Sequence, residues 1–312
     1  MKTLVYHSGA LGDFLSIFPL LEIWRANTKS HITLLGRPEY GVLAQMSGLI
    51  DNTLDIDSKE NLVFFSETEQ ELTSIQFFRY SHCILFAKKD SPLVVNAEKY
   101  CNGIVLSQDP FPSSEIHVVD YHCQLIKEYI TLHCSAPITP VLKISKGINE
   151  FSSGAVVIHP GSGSKKKNWA FSNYLYVAEK IRDRGLQIVW ITGPAEERFT
   201  FPVCDTVYNN RPLSDLVNLF SQSALYIGND SGVTHLAAAS GCSVIAIFGP
   251  SDPAVWSPRG ETKVTVVYKK TSCSPCHLRC SSEAANCNTE CLMQITKEEV
   301  AELIDMQLEQ LY

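Results

Sequence analysis

Nowhere in its 312 residues does the sequence offer eighteen uninterrupted apolar positions, the least that a bilayer-spanning helix needs. Positive charge is scarce as well. Twenty-six Lys and Arg stand against 33 Asp and Glu, a formal net charge of −7. Residues 1–150 hold 12 basic and 17 acidic side chains, so neither half is basic. That argues against nucleic acid as a partner and against a purely electrostatic membrane anchor. No repeat of solenoid period and no low-complexity tract is found. The N-terminal MKTLVYHSGALGDFLSIFPLLEIWR is interrupted by His7 and Asp13, and no small-residue cleavage site follows. It does not read as a signal peptide, and the expectation is a cytoplasmic protein.

What remains is an ordinary globular composition, 45% hydrophobic and 19% charged, over roughly two domain lengths. Short β-rich runs alternate with helical ones: TLVYHS, HITLLG, HCILFA and GIVLSQ as strands, FLSIFPLLEIWRAN, EYGVLAQMSG and IHVVDYHCQLIKEYI as helices. Periodicity lapses at 143–154, the expected linker, and then resumes. AVVIHPG, LQIVWITG, ALYIGND and SVIAIFG read as strands, and SNYLYVAEKIRDRG, LSDLVNLFSQ and GVTHLAAASG as helices. The last helix opens on a capping-box pattern, Thr296 and Glu299. The alternation predicts two doubly wound α/β domains, 1–148 and 149–312, with parallel sheets and ligands at the carboxyl ends of their strands. The final helix is left free to pack back on the first domain.

Three strand-end loops of the second half carry chemistry. In YIGNDSGVTHLAAASG a strand ends at Asp230 and a helix begins at once. A helix N-terminus has unpartnered N–H groups and favours anions. Gly232 allows close approach, Ser231, Thr234 and His235 add donors, and Val233 completes the turn, so the corner reads as a diphosphate seat. A capped helix with a buried histidine is the plainer alternative. HPGSGSKKKNW supplies Gly161, Ser162 and a lysine run that includes Lys167, either an anion loop or a solvated turn. A lysine about 4 Å from a phosphate oxygen gains roughly 4 kcal/mol before desolvation, against about 0.3–2 kcal/mol from a helix terminus. In ITGPAEER, either Glu196 or Glu197 is placed to accept from a ribose hydroxyl pair.

The first half has its own strand, glycine loop and helix in HSGALGDFLSIFPLL. The loop lacks the G-x-G-x-x-G spacing of a dinucleotide site. Asp13 reads as a general base for an acceptor hydroxyl or as a helix cap. Five cysteines crowd the stretch 273–291: Cys273, Cys276, Cys280, Cys287 and Cys291. Four thiolates can hold zinc or iron, and free buried thiols are the alternative.

At these residues the sequence resembles glycosyltransferase family 9, the ADP-heptose:lipopolysaccharide heptosyltransferases. GALGDFLSIFPLL is similar to that family's G-D-x-x-x-x-x-P-x-L motif, and IHPGSGSKKKNW to its H-P-G-S…K-x-W loop. IGNDSGVTHLAAASGCSVIAIFGPSDPAVWSP is similar to its G-x-D-[ST]-G-x-x-H-L-A-A…G-P-[ST]-D-P signature. The resemblance implies a GT-B fold, two Rossmann-like domains facing across a cleft. It implies inverting, metal-independent transfer from a nucleotide-diphospho-sugar, with ADP-heptose as the family's donor, to a lipopolysaccharide core or other glycan, with no cofactor required and peripheral contact at the inner membrane. By motif, Asp13 is the base and Lys167 the phosphate lysine. Gly161, Ser162, Ser231, Gly232, Val233 and His235 take the donor with Asp230, while Gly12 and Arg37 lie on the acceptor side. The resemblance also admits a protein acceptor and a cysteine-bound structural metal, since some relatives that modify autotransporters hold iron there.

Two departures stand out. The acceptor half is net negative, with only Arg37, Lys88, Lys89 and Lys99 as a candidate basic patch, and it is short. Two rival readings are metal-dependent transfer through the D-x-D of Asp55 and Asp57, and a cysteine-metal or nucleotide-binding module without transferase activity.

Overall fold

A computed structural model describes residues 1–67, 76–113, 115–130, 138–142, 154–193, 196–197, 199–276 and 287–310. The chain divides into two compact units, Met1–Ile144 and Ser145–Tyr312. Most of the expected linker, residues 143–153, lies outside the described residues. Among the described residues no helix is long and apolar enough to cross a membrane.

The first unit is built on five parallel strands, β1 (Lys2–His7), β2 (His31–Gly36), β3 (Asn52–Asp55), β4 (His82–Phe86) and β5 (Ile104–Gln108), in the order β3-β2-β1-β4-β5. The order reverses between β1 and β4, which pair from Thr3↔His82 to Tyr6↔Leu85. Leu4, Leu35, Cys83 and Leu85 pack with Phe64, Phe77, Leu93 and Val94 in its core. Apolar strands buried on both faces are what a sheet covered by helices on either side requires.

The second unit has six parallel strands, β6 (Val156–His159), β7 (Ile188–Thr192), β8 (Thr206–Asn209), β9 (Leu225–Asn229), β10 (Val244–Phe248) and β11 (Val264–Tyr268). Their order is β11-β10-β9-β6-β7-β8, so β6 and β9 are neighbours where the winding changes direction. Ligands of such sheets collect outside the carboxyl ends at that point.

Several elements differ from the sequence reading. The helix expected over 14–27 is two, α1 (Leu11–Leu15) and α2 (Phe18–Thr28). Pro19 cannot donate to the carbonyl of Leu15 and would crowd it, so the helix restarts with proline in its first turn. The helix expected over 116–130 keeps its helical hydrogen bonding over α5 (Val118–Gln124). α4 (Pro92–Tyr100) was not anticipated, although Ser91 caps it by accepting from Val94 N–H. β3 and β8 are largely exposed and lack the apolar run that betrays a buried strand.

The final helix α11 (Lys297–Leu308), which the sequence left free to pack on the first unit, buries Val300, Ile304 and Leu308 with Tyr174, Val177 and Ile181 of α6 (Phe171–Asp183). Its capping box is half made. Thr296 accepts from Glu299 N–H at 3.2 Å, while the Glu299 carboxylate turns to Lys269 at 2.8 Å.

Between α4 and β5 the chain turns back hard against the start of β4. A Cβ on Gly103 would lie 2.1 Å from the Ser81 carbonyl oxygen, which also accepts from Ile104 N–H at 3.1 Å. Backbone on both sides leaves no soft neighbour to yield. Gly103→Ala is therefore expected to destabilise the protein by about 1–3 kcal/mol, read as a lower thermal or urea midpoint. An unchanged midpoint would contradict this packing.

Candidate functional site

The HPGSGSKKKNW and NDSGVTH loops of the second unit leave adjacent strands. His159 at the end of β6 pairs with Gly228, one residue before the end of β9. Asn229, wholly buried, ties the loops together. Its Nδ2 donates to the carbonyls of Pro160 (2.8 Å) and Gly161 (3.3 Å) in one loop. Its Oδ1 accepts from Trp169 N–H and Tyr174 O–H, both at 2.9 Å. Trp169 anchors the far end of the same loop, its indole N–H donating to Ile295 O at 2.9 Å.

One residue on, Asp230 is 6% exposed and its Oδ2 lies 2.6 Å from Lys167 Nζ. The last lysine of the KKK run is thus folded onto the Asp-Ser-Gly corner, and the expected convergence of the two loops is present. Lys165 stays exposed on the same short turn, Lys165–Lys167.

α8 (Gly232–Ala239) starts at that corner with Ser231 as N-cap. Thr234 N–H meets Ser231 Oγ at 3.4 Å, and His235 N–H meets the Ser231 carbonyl at 3.3 Å. Gly232 and Val233 occupy the first turn, where backbone N–H groups have no partner within the helix. Burial pushes His235 below the ordinary histidine value; Asp230 works against that shift and Lys167 with it. Near neutral pH it is an uncharged donor or acceptor.

Ser162 is half-buried in the first of these loops. Its hydroxyl spans its own loop, 2.6 Å from Asn168 Oδ1 and 2.8 Å from Ser164 O. Glu196 and Glu197 differ sharply in burial. Glu196 is 3% exposed, accepts from Gly193 N–H at 2.7 Å, and reaches so close to Gly161 that a Cβ there would overlap its carboxylate. Glu197 is exposed.

In the first unit Asp13 is half-buried in the first turn of α1, and its Oδ2 accepts from Ala10 N–H at 3.1 Å. Ala10 is the N-cap and Asp13 the third helical residue, its carboxylate bonded back to that cap at the end of β1, beside the switch between β1 and β4. Tyr40 stacks on Phe14 with ring centroids 5.7 Å apart, and Arg37 lies 5.9 Å over the Tyr40 ring. Burial first, and then Glu39 and Asp13, raise the Tyr40 phenol. Gly12 sits beside Asp13 and Arg37 is exposed where β2 ends.

Lys88 and Lys89 share that edge of the sheet, following β4. Lys99 does not. It stands at the far end of α4, over the Tyr100 ring at 5.1 Å, because the helix carries the chain back to the opposite edge. The four-residue basic patch is therefore broken. Asp55 Oδ1 accepts from Asp57 N–H at 3.0 Å, which makes the D-x-D a turn of exposed acids.

The cysteine cluster lies partly outside the described residues, Cys280 among those not described. Cys276 donates to Cys273 O at 3.0 Å, and burial with the neighbouring thiols Cys273 and Cys287 pushes it up to about 11. Cys291 is buried and raised for the same reasons. Among the described residues no group of three or more His, Cys, Asp or Glu is placed to hold a metal ion.

Two doubly wound parallel sheets, one with a lysine-and-helix corner at its switch point, match solved structures over nearly the whole chain. They are similar to a family 9 glycosyl transferase from Veillonella parvula (TM-score 0.79, 18% identity, 99% of this chain and 97% of that one). They are also similar to Escherichia coli ADP-heptose lipopolysaccharide heptosyltransferase II (0.74, 17%, 99% and 99%). A third likeness is the iron-containing dodecameric glycosyltransferase TibC of enterotoxigenic E. coli (0.69, 18%, 100% and 76%). At these identities the likeness defines the fold, which is of the GT-B class.

Residues 111–286 match the description "Glycosyltransferase family 9 (heptosyltransferase)", and the chain belongs to that family. It is 30% identical to lipopolysaccharide heptosyltransferase 3 of E. coli strain K12 over 114 residues, 33% of each chain. It is 23% identical to lipooligosaccharide heptosyltransferase 2 of Haemophilus influenzae over 193 residues, 58% of this chain and 53% of that protein. The matched stretches thus span from a third to about half of these curated relatives.

Asn229 was not anticipated. Its signal was present as the one amide in an otherwise apolar strand end. Asn229→Ala would leave Trp169 N–H, Tyr174 O–H and the Pro160 carbonyl short of partners, at an expected cost of about 2–4 kcal/mol in unfolding free energy. A loss below about 0.5 kcal/mol, the range of neutral surface changes, would contradict the clamp.

Three histidines supply a pH test. Burial pushes His7 down to about 3, and His122 and His159 to about 4, from 6.5 in the unfolded chain. Below 6.5 the unfolded state binds protons that the folded state refuses, so stability is full above that pH and is lost as pH falls. The slope reaches about 1.4 kcal/mol per pH unit per histidine. Urea unfolding between pH 7 and 5 should show it, and His159→Gln should remove about one histidine's share. A flat profile would contradict the burial.

Proposed function

We propose that this chain is an inverting, metal-independent glycosyltransferase. It moves heptose from ADP-heptose, or a closely related nucleotide-diphospho-sugar, to a hydroxyl of a lipopolysaccharide core or similar glycan. The observation that carries the reading is the 2.6 Å pair of Lys167 with Asp230 beside the N-terminus of α8. One lysine and one helix turn converge there, a seat suited to a diphosphate. The family supplies the reaction class, and E. coli heptosyltransferase II, by its name, supplies the donor.

In this mechanism Asp13 takes the proton of the acceptor hydroxyl. The freed oxygen forms a bond to the anomeric carbon as the bond from that carbon to the diphosphate oxygen breaks. A single displacement inverts the anomeric centre. Charge grows on the departing diphosphate. Lys167 and the N–H groups of Gly232 and Val233 receive it, an arrangement that accelerates the step only as far as it binds the leaving group better than the substrate.

Asp230 keeps the ammonium aimed at the seat before the donor arrives. His235, neutral through burial, contributes a hydrogen bond and no charge. Buried Glu196, beside Gly161, is the ribose acceptor in this reading and Glu197 is not. Arg37 is the cation offered to the acceptor. The lysine and the helix dipole supply the positive charge that a divalent ion supplies in metal-dependent transferases, and no step passes through the cysteine-rich segment.

Asp13→Asn should lower turnover of an ADP-heptose donor by about 10²–10⁴-fold while ADP affinity by calorimetry stays within twofold of the parent. Lys167→Ala should weaken ADP binding at least tenfold, about 1.4 kcal/mol. Excess EDTA should leave turnover unchanged. Full activity of Asp13→Asn, or turnover that collapses on chelation, would overturn the mechanism.

A further inference from the structure

Away from the loops just described, the first unit holds two thiols in contact. Cys83, the second residue of β4, is buried, and Cys101, immediately after α4, is half-buried. Their Sγ atoms are 3.5 Å apart. A disulfide needs about 2.05 Å, so closing the bond draws the two sulfurs together by about 1.5 Å.

The backbone holds them there. Cys101 N–H donates to Ala97 O at 2.8 Å, and Ser81 N–H donates to Lys2 O at 2.9 Å. Ser81 O accepts from Ile104 N–H, and Gly103 passes too close to that carbonyl for any side chain. The turn after α4 therefore stays against the start of β4.

We propose that Cys83 and Cys101 are a reversible oxidation site, closed to a disulfide by a low-molecular-weight disulfide such as oxidised glutathione. Cys101 is the attacking group, being the more accessible. In its neutral form it donates to Tyr80 O at 3.3 Å. The Cys83 S–H, directed at Cys101 Sγ, holds the Cys101 thiol down to about 7; burial opposes this, and the backbone N–H groups of Gly103 and Asn102 support it. The same hydrogen bond, with burial, drives Cys83 upward.

The Cys101 thiolate forms a bond to one sulfur of the reagent, whose S–S bond breaks to release one thiolate. Cys83 then surrenders its proton to that thiolate, and its sulfur attacks Cys101 Sγ. The 83–101 bond forms and the second small thiolate leaves, to be protonated from solvent. Two protein thiols are oxidised and one external disulfide is reduced to two thiols. In a reducing compartment such pairs serve as transient or sensing sites, and excess thiol reverses this one. The bond would staple α4 to β4 at the sheet edge opposite Asp13.

The test uses the full chain at pH 7.5. It is incubated with oxidised glutathione, quenched with acid, blocked with N-ethylmaleimide and digested without reduction for mass spectrometry. The expected result is a linked peptide pair joining positions 83 and 101 that disappears on treatment with dithiothreitol. Cys83→Ser should trap glutathione on Cys101, and Cys101→Ser should leave Cys83 unmodified. The oxidised parent should melt at a higher temperature than the reduced one. The proposal is overturned if both cysteines are recovered as maleimide adducts under conditions that modify exposed Cys204, or if Cys83→Ser carries no adduct at Cys101. The parent digest alone decides the matter should either variant fail to fold.

Discussion

Adjacency of β6 and β9 is the constraint from which the second unit's chemistry follows. Because the winding reverses between them, no helix covers the gap at their carboxyl ends, and two loops distant in sequence are forced to share it. Asn229 converts that proximity into fixed geometry by satisfying the backbone of one loop from the strand of the other. The ion pair of Lys167 and Asp230 then sets a cation beside a helix N-terminus. Neither charge is fully solvated, so each needs the other, and the loops cannot separate without leaving a buried carboxylate uncompensated.

The same arrangement accounts for residue types that look arbitrary in a motif. The tryptophan after the lysines is there to anchor the loop in the core, by its indole N–H to Ile295 and its ring against Tyr174 at 5.1 Å. The glycine of the H-P-G stretch leaves room for the Glu196 carboxylate. Thr234 closes the corner by bonding back to Asn229 O and to the Tyr226 hydroxyl. Most of the polar groups serve the loop geometry, and a smaller set is left to face a ligand.

Much of this was legible in the sequence, for identifiable reasons. The buried strands VVIH, IVWIT, LYIGN and VIAIF carry no alternation, as parallel strands between helix layers must. Their ends fall at glycine- and serine-rich loops, so the convergence of two of those loops at one sheet edge follows from the strand pattern. Edge strands such as Asn52–Asp55 and Thr206–Asn209 were missed because half-exposed strands have no such run. The split at Ser16 and Ile17 was hidden by an unbroken apolar pattern that only Pro19 contradicts. The Ser162 hydroxyl turns to Asn168 and Ser164 of its own loop, which spacing alone does not tell. That Glu196 is buried and Glu197 exposed is a property of the fold and not of two adjacent identical letters.

The central claim is that the Lys167 and Asp-Ser-Gly loops form one seat for a nucleotide diphosphate. A crystal structure of the protein soaked with ADP tests it most directly. The account predicts the terminal phosphate within hydrogen-bonding distance of Lys167 Nζ and of the N–H groups opening the helix Gly232–Ala239, with the ribose beside Glu196. Diphosphate bound elsewhere, with Lys167 still held on Asp230 and the helix turn unengaged, would contradict it.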